Sequence, residues 1–311
     1  MRIGLLGLGK MGANHARLLS EESTVDFVGF YDPVLLEPVT ISKRYATESE
    51  LIEVCDALVI ASPSSMHTDI AERVLQAGKH CLIEKPLATS ENEISRIKEA
   101  GRIGPGKVYV GMVERFNPAV SSGKQFLREQ GIGQIIQIST VRQGPRPQRI
   151  KDVGVDLDLA VHDLDLSVYL GESEIYSMES ITAKVEAESA FPDFFKSLGK
   201  LSNGVLFSNT VNWHHPLKER SIVIHGTEAV LELDLLNMQV KLAEFGSADF
   251  SWPSLNQKFG ASKGRIREFE LQLQEPLKLE IQSFIRAISG NEGNEDICSV
   301  DEAASVLRWI L

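Results

Sequence analysis

The sequence predicts a two-domain protein: an α/β domain with a doubly wound parallel sheet, followed by an α+β domain with an open-faced, largely antiparallel sheet. In the first third of the chain, short continuous apolar runs alternate with amphipathic helical segments, as in parallel sheets that are buried on both faces. Beyond residue 175, apolar and polar residues alternate instead, as in strands with one buried face. We place the boundary after residue 118, which gives domains 1–118 and 119–311.

Composition narrows the class of function. With 311 residues and 43% hydrophobic content, the chain can bury the cores of two domains, and its formal net charge of −11 argues against a nucleic-acid partner. No apolar run approaches the roughly 18 residues of a membrane span, and the first apolar residues form a strand instead of a signal peptide. We therefore expect a cytoplasmic protein without a membrane partner.

Local signals mark the ends of several elements. Serine and glutamate three residues apart open predicted helices at Ser90 and Ser299. Asn203-Gly204 is a hairpin signal between two alternating runs. Apolar periodicity predicts helices over 118–129 and 278–289, and we assign the latter to the second domain.

The first strand and the helix after it frame a glycine-rich turn, GLGKMG, which contains Gly7, Gly9 and Gly12. The first glycine permits a tight bend, the second lets the backbone approach a pyrophosphate, and the third lets the helix pack closely on the strand. A second strand ends in Asp32, twenty residues after Gly12. A carboxylate there accepts the ribose hydroxyls of NAD and repels the 2′-phosphate of NADP. The pattern predicts a Rossmann domain that binds NAD in preference to NADP.

The third strand ends beside this predicted cofactor cleft. Ser62 and Pro63 break the strand before a helix that starts near His67. We expect His67 to cap that helix or to line the cleft, and not to transfer protons. The predicted cofactor-binding set comprises Gly7, Gly9, Lys10, Met11, Gly12, Asp32, Ser62, Pro63, His67, Glu84 and Lys85.

A Glu-Lys-Pro tripeptide ends the fourth apolar strand. Lys85 stands between Glu84 and Pro86, at the carboxyl end of a buried strand, where open α/β sheets place their ligands. Lys85 is therefore the first catalytic candidate. The alternative is a solvated strand end that Pro86 merely stops.

A carboxylate and an imidazole stand four residues apart in the second domain. Asp158 and His162 fall in a predicted helix, where residues at this spacing share one face. A carboxylate beside an imidazole orients the ring and raises its basicity, which suits a general base for an alcohol. A surface ion pair is the alternative. We expect no metal, because no third and fourth ligand follow at a recognisable spacing.

A stretch of the second domain is rich in positive charge and turn formers, with Arg142, Arg146, Arg149 and Lys151 close together. Most such runs are solvated faces. Arginine also matches phosphate oxygens with two parallel hydrogen bonds, so this loop is the alternative candidate for holding an anionic substrate.

One face of the second sheet is predicted to meet another subunit. Helices are expected to cover only the opposite face, and Phe207, Val211 and Trp213 share one side of a strand. We therefore expect a homodimer or homotetramer that forms through this sheet. Residues 244–267 carry no assignable pattern.

Four motifs in this order resemble those of the glucose-fructose oxidoreductase and inositol dehydrogenase (Gfo/Idh/MocA) family: GLGKMG, Asp32, Glu84-Lys85-Pro86 and Asp158-x-x-x-His162. The resemblance covers nearly the whole chain. It implies an NAD(P)-binding first domain, a second domain for substrate binding and oligomerisation, and a Lys85–Pro86 bond that is often cis. It further implies that a sugar alcohol is oxidised by hydride transfer to nicotinamide, with His162 as base, Lys85 stabilising the alkoxide and Asp158 positioning both substrate and histidine.

A narrower resemblance concerns the substrate. Residues 114–120, Gly144-Pro145, Arg149 and residues 152–155 are similar to those of members that oxidise UDP-N-acetylglucosamine at its 3-hydroxyl. This implies that Arg146 or Arg149 holds the pyrophosphate of a nucleotide sugar and that Arg115 contacts substrate. Two alternatives stay open: a dehydrogenase of a free polyol or aldose such as inositol or glucose, and a regulator without chemistry that senses NAD or a sugar.

Overall fold

The computed structural model describes residues 1–35, 42–129, 131–147, 153–186, 190–245, 264–290 and 296–311. The chain divides into two compact units. The first comprises Met1–Phe116 together with Glu275–Leu311, and the second comprises Asn117–Gln274. The predicted second domain, 119–311, is therefore wrong at its C-terminal end, because residues 275–311 return to the first unit.

The first unit starts with strands and helices in alternation. Its strands are β1 (Arg2–Leu6), β2 (Asp26–Tyr31), β3 (Ala57–Ile60), β4 (His80–Glu84) and β5 (Val108–Gly111). Its helices are α1 (Lys10–Glu21), α2 (Glu48–Val54), α3 (His67–Gln76) and α4 (Glu91–Ile103), with short 3-10 turns at Ser64–Met66 and Val113–Phe116.

The second unit contains eight strands and two α-helices among its described residues. The helices are α5 (Pro118–Glu129) and α6 (Val161–Gly171), the latter preceded by a π-helical turn at Asp156–Ala160. The strands are β6 (Ile135–Pro145), β7 (Ile175–Ala183), β8 (Phe194–Leu201), β9 (Leu206–Asn212), β10 (His214–Gly226), β11 (Ala229–Asp234), β12 (Gln239–Glu244) and β13 (Ile266–Phe269). The C-terminal segment then adds α7 (Pro276–Ser289), β14 (Cys298–Ser299) and α8 (Val300–Leu307) to the first unit.

The first sheet has the strand order β14-β5-β4-β3-β1-β2, in which all pairs are parallel except β14 with β5. This confirms the predicted doubly wound parallel sheet. Because β2 and β3 lie on opposite sides of β1, the chain changes direction at β1. Ligands of such sheets bind in the crevice at that switch point, beyond the carboxyl ends of the strands.

The apolar stripe of α7 explains why the C-terminal segment belongs to the first unit. Ile281 and Phe284 are 1% and 0% exposed, and they join the core cluster that Leu5 and Val59 contribute from the sheet. Burial of each such side chain stabilises the fold by about 1.5–3 kcal/mol. The periodicity predicted a helix with one buried face, but the surface that buries it lies far away in sequence.

The second sheet has the strand order β13-β12-β11-β10-β6-β9-β8-β7 and is antiparallel except for the β6–β9 pair, which confirms the predicted largely antiparallel sheet. Gly204 has a φ of +97° in the turn that joins β8 to β9, so the predicted hairpin forms at Asn203-Gly204. Among the described helices of both units, none is long and apolar enough to cross a membrane.

Three apolar side chains in and just after β9 were predicted to contact another subunit, and this prediction is wrong. Phe207, Val211 and Trp213 are 0%, 0% and 5% exposed, so they belong to the buried face of the sheet. The alternation of the strands leaves Leu198 and Leu206 on the other face, 62% and 43% exposed.

Candidate cofactor cleft and active site

The glycine turn after β1 has a shape that larger residues cannot adopt. Gly7 has a φ of +93°, and its N–H donates to the carbonyl oxygen of Tyr31 at 2.9 Å. A Cβ atom on Gly12 would lie 2.1 Å from the carbonyl oxygen of Gly7, so only glycine lets α1 start this close to the strand. A Cβ on Gly9 would meet no heavy atom within 4 Å, so this peptide borders open space. The turn therefore leaves room for a ligand in front of the N-terminal amides of α1.

A cavity of about 440 Å³ lies at the switch point between β1 and β3. Its lining includes five predicted cofactor residues: Gly7, Gly9, Asp32, Ser62 and Pro63. Lys10, Met11, Gly12, His67, Glu84 and Lys85 do not line it. A larger cavity of about 870 Å³, beside β5 and β14, contains none of the predicted site residues.

The Asp32 carboxylate is held in place by backbone amides. Its Oδ2 accepts the N–H of Leu8 at 2.7 Å, and its Oδ1 accepts those of Val34 and Leu35 at 2.9 and 3.0 Å. The side chain is thereby aimed at the cleft before any ligand binds. The turn, the helix N-terminus and this oriented carboxylate fit the pyrophosphate and ribose of a dinucleotide.

His67 connects two loops instead of facing the cleft. It is 1% exposed, with Nδ1 2.9 Å from the carbonyl oxygen of Pro86 and Nε2 3.0 Å from that of Ser62. Its side chain therefore joins the segments that follow β3 and β4. This corrects its predicted place, because the imidazole neither caps α3 nor lines the cleft.

Glu84 and Lys85 stand at the carboxyl end of β4, as predicted. Lys85 is half-buried, and its peptide bond to Pro86 is cis, which confirms that expectation. The Glu84 carboxylate does not point into the cofactor cleft: Oε1 lies 2.6 Å from Nε2 of His15, and Oε2 accepts the backbone N–H of Lys85 at 3.3 Å. Sequence reasoning missed His15; the available signal was a histidine on the apolar face of α1, in step with Leu18 and Leu19.

The electrostatics of Glu84 favour its ionised form. Burial alone would raise the pKa of the carboxyl. The hydrogen bond with His15 and the electrostatic influence of His15, Lys85 and His67 outweigh burial and bring the pKa of Glu84 below its ordinary value. A negative charge therefore lies next to the Lys85 ammonium.

Asp158 and His162 are both buried in the second unit, 9% and 7% exposed, which excludes the surface-pair alternative. Both residues lie in helical backbone, as predicted, but the helix is not a regular α-helix throughout. Asp158 lies in the π-helical turn, and α-helical geometry begins only at Val161. Turns of this type are rare and recur at functional sites.

Arg142 lies in β6 and not in a solvated loop. Its Nε is 2.8 Å from Oδ1 of Asp163, and both side chains are 3% exposed. This buried ion pair ties the first turn of α6 to the sheet. Because His162 directly precedes Asp163, the pair holds the backbone that carries the imidazole.

We expect Arg142→Met to lower the free energy of unfolding of the second unit by about 3–5 kcal/mol, because the Asp163 carboxylate is then buried without its partner. Urea unfolding followed by circular dichroism measures the change. As a control, the double variant Arg142→Met, Asp163→Leu removes both charges. Its free energy of unfolding should return most of the way to that of the parent protein. A single variant as stable as the parent would contradict the assignment.

The remaining predicted arginines differ in their surroundings. Arg146 pairs with Glu186, and its guanidinium carbon lies 5.5 Å from the centre of the Trp213 ring. Arg149 lies outside the described residues. Arg115 is 1% exposed, with Nη1 3.0 Å from Oε1 of Glu302 inside the first unit. This burial contradicts the predicted contact of Arg115 with substrate.

Two family models match the chain. Residues 1–112 match the model described as oxidoreductase family, NAD-binding Rossmann fold, and residues 121–232 match the GFO/IDH/MocA C-terminal domain. The first match covers the glycine turn, Asp32 and Lys85, and the second covers Asp158 and His162.

Individual relatives align over nearly their whole length. The inositol 2-dehydrogenase of Acidothermus cellulolyticus is 30% identical over 326 residues, covering 99% of this chain and 93% of the relative. The UDP-N-acetylglucosamine 3-dehydrogenase of Acidithiobacillus ferrooxidans is 25% identical over 296 residues, covering 94% and 90%.

Solved structures show the same fold. That of the Acidithiobacillus ferrooxidans enzyme has a TM-score of 0.85 at 24% identity and covers 100% of this chain and 95% of its own. The WlbA dehydrogenase of Bordetella pertussis, solved in complex with NADH and UDP-GlcNAcA, has a TM-score of 0.79 at 23% identity, covering 98% and 93%. With both family models matched in order and a 30% identical relative aligned end to end, this chain belongs to the Gfo/Idh/MocA family of NAD-binding oxidoreductases.

Proposed function

We propose that this protein oxidises the 3-hydroxyl of UDP-N-acetylglucosamine to a ketone and uses NAD as the acceptor. The observation that carries the proposal is the alignment, over 94% of the chain, with a relative named for that reaction. The buried Asp158 and His162, and Lys85 at the end of β4, support the chemistry because alcohol oxidation needs a base and a cation near the hydroxyl oxygen.

The first unit binds the dinucleotide. Backbone amides of Gly9 to Gly12 receive the pyrophosphate, and Asp32 accepts the hydroxyls of the adenosine ribose, which favours NAD over NADP. When bound, NAD supplies the acceptor for the hydride that leaves the alcohol carbon. The protein's own groups handle only the proton and the charge.

His162 takes the proton of the substrate hydroxyl, and Asp158 keeps the imidazole and substrate oriented. Lys85 stabilises the negative charge that develops on the oxygen. Positioned acid–base help of this kind accelerates a reaction by about 100- to 10,000-fold. We assign Arg146, with Arg149 in the same segment, to the pyrophosphate of the nucleotide sugar, because a guanidinium matches phosphate oxygens with two parallel hydrogen bonds.

A substrate panel tests the proposal. Purified protein with NAD, and separately with NADP, is mixed with UDP-N-acetylglucosamine, glucose or myo-inositol, and the absorbance of the reduced cofactor is followed. We expect a signal with the nucleotide sugar alone. The 30% identical inositol dehydrogenase makes myo-inositol the decisive comparison, since turnover of the free polyol alone would overturn the proposed substrate.

Arg146 offers a sharper test of the same proposal. We expect Arg146→Gln to raise KM for the nucleotide sugar about 10- to 100-fold, because one charge-assisted hydrogen bond contributes on the order of 1.5–3 kcal/mol. Arg128→Gln is the matched control. Arg128 also forms an ion pair with a glutamate of the second unit, Glu172, and both side chains are 54% exposed. Equal KM values for the two variants would remove Arg146 from the substrate site.

We also propose that the exposed face of the second sheet contacts a second copy of the chain. Leu198 and Leu206 project from it, and Ile181 of β7 lies on the same face and is 72% exposed, so apolar side chains stand there among the exposed Lys196 and Lys200. Paired sheets bury such surfaces well. Light scattering of the purified protein gives the subunit number.

A further inference from the structure

Three ionisable side chains meet inside the first unit. His15 comes from α1, Glu84 from the end of β4 and Glu280 from the middle of α7. One nitrogen or oxygen atom from each lies within 4.8 Å of the others. His15 and Glu280 are 0% exposed and Glu84 is 8% exposed. The C-terminal segment thus brings a second carboxyl group to the buried pair that adjoins Lys85.

Several buried polar atoms of this cluster have no hydrogen-bond partner among the described residues when both glutamates are treated as ionised. Within the described part of the chain, neither carboxyl oxygen of Glu280 has a hydrogen-bond partner, and neither has Nδ1 of His15. An ionised carboxylate without partners is costly to bury, whereas a protonated carboxyl is neutral and has one O–H to donate. The Glu84 oxygens, which can accept that O–H, lie in the same cluster.

The surrounding charges favour one proton for the two carboxyl groups. Burial raises the pKa of Glu280 well above its ordinary value, the negative charge of Glu84 raises it further, and only Arg115 acts in the opposite sense. The pKa of Glu84 is lowered instead, because His15, Lys85 and His67 all favour its ionised form and outweigh burial. Two carboxyl groups this close do not both ionise, so the proton stays on Glu280.

We propose that Glu280 is a neutral carboxylic acid that donates a hydrogen bond into the His15–Glu84 pair, and that the completed cluster positions Lys85. The link to Lys85 is direct, since Glu84 precedes it in the chain and accepts its backbone N–H. Glu280 is thus a positioning residue, as it acts through Glu84. The proposal rests on the proposed function in one respect, the catalytic role of Lys85.

The sign of a stability change tests the protonation. A carboxyl with a raised pKa in the fold contributes its full stability below the unfolded value of about 4.3 and loses that contribution as the pH rises towards the folded value. Glu280→Gln keeps the side-chain shape and a hydrogen-bond donor, but it has no ionisable group and therefore does not lose stability as the pH rises. We therefore expect its Tm to exceed that of the parent by about 3–6 °C at pH 8, with the difference vanishing towards pH 4.

Glu302→Gln is the matched control in the same unit. The pKa of Glu302 is lowered, since Arg115 and the backbone and side chain of Ser299 outweigh burial, so this variant should melt below the parent at pH 8. A lowered Tm for Glu280→Gln would overturn the proposal, because it would mean that the native carboxyl is ionised. A stoichiometric metal ion in the purified protein, measured by mass spectrometry, would overturn it as well by making Glu280 a ligand.

Positioning is tested by pairing a conservative with a disruptive variant. Glu280→Leu has no donor, and we expect its kcat to fall about tenfold while KM for NAD stays within about twofold, whereas Glu280→Gln retains the parental kcat. Equal kcat values for the two variants would refute positioning. Infrared difference spectra of parent and Glu280→Gln protein should show the band of a buried protonated carboxyl. Absence of this band would refute the proposal that Glu280 is a neutral acid. Because Tm and infrared spectra need no substrate, a silent substrate panel would leave this test intact.

Discussion

Lys85→Met is expected to lower kcat for the nucleotide sugar by about 100- to 10,000-fold. Methionine keeps much of the length and the apolar stem of lysine but removes the ammonium, so the variant isolates the charge from the packing. The charge matters most in the transition state, when the hydroxyl oxygen becomes negative. KM for NAD should change little, because the glycine turn and Asp32, to which we assign dinucleotide binding, lie at the ends of β1 and β2.

Steady-state kinetics with saturating NAD measures the effect, and NAD binding is followed separately by calorimetry. Lys79→Met is the matched control, since Lys79 precedes the same strand at its amino end, away from the ligand edge of the sheet. We expect the control to keep kcat within about twofold. Turnover that survives the loss of Lys85 would remove the proposed mechanism, whatever the substrate.

The features predicted correctly from the sequence are those whose cause is local. The tight turn at Gly7 needs a positive φ, which glycine adopts without strain, and the same holds for Gly204 in its hairpin. The helix Pro118–Glu129 has the predicted bounds. Ser299 and Glu302 form the predicted reciprocal cap, with hydrogen bonds of 2.9 and 3.2 Å. In each case the residues that decide the geometry are neighbours in the chain.

The errors have the opposite origin. The periodicity of α7 shows that one face is buried but not against what, so its return to the first unit and the meeting of Glu280 with His15 could not be predicted. Arg142 belongs to a charged stretch, yet its partner Asp163 lies 21 residues away and removes it from solvent. Arg115 is buried through Glu302 in the same manner. A charged residue in a sequence does not reveal whether water or a distant carboxylate will surround it.

His162→Gln is expected to lower kcat by about 100- to 10,000-fold, because the substrate hydroxyl loses its proton acceptor. Glutamine can replace a hydrogen bond of the imidazole but cannot take up a proton at neutral pH. The variant should therefore also lose the acid limb of the rate profile, in which protonation of the base slows the parent enzyme. This second readout separates a base from a residue that only shapes the site.

The pH dependence of kcat and of kcat/KM, measured on parent and variant, tests this role. His225→Gln is the matched control, since His225 is exposed on β10 in the same unit and has no assigned function. If His162→Gln kept the acid limb at a reduced rate, another group would be the base and His162 would only position the substrate. If it kept both rate and profile, the role of the buried His162 would be structural, and the alternative of a sensor with this fold would gain support.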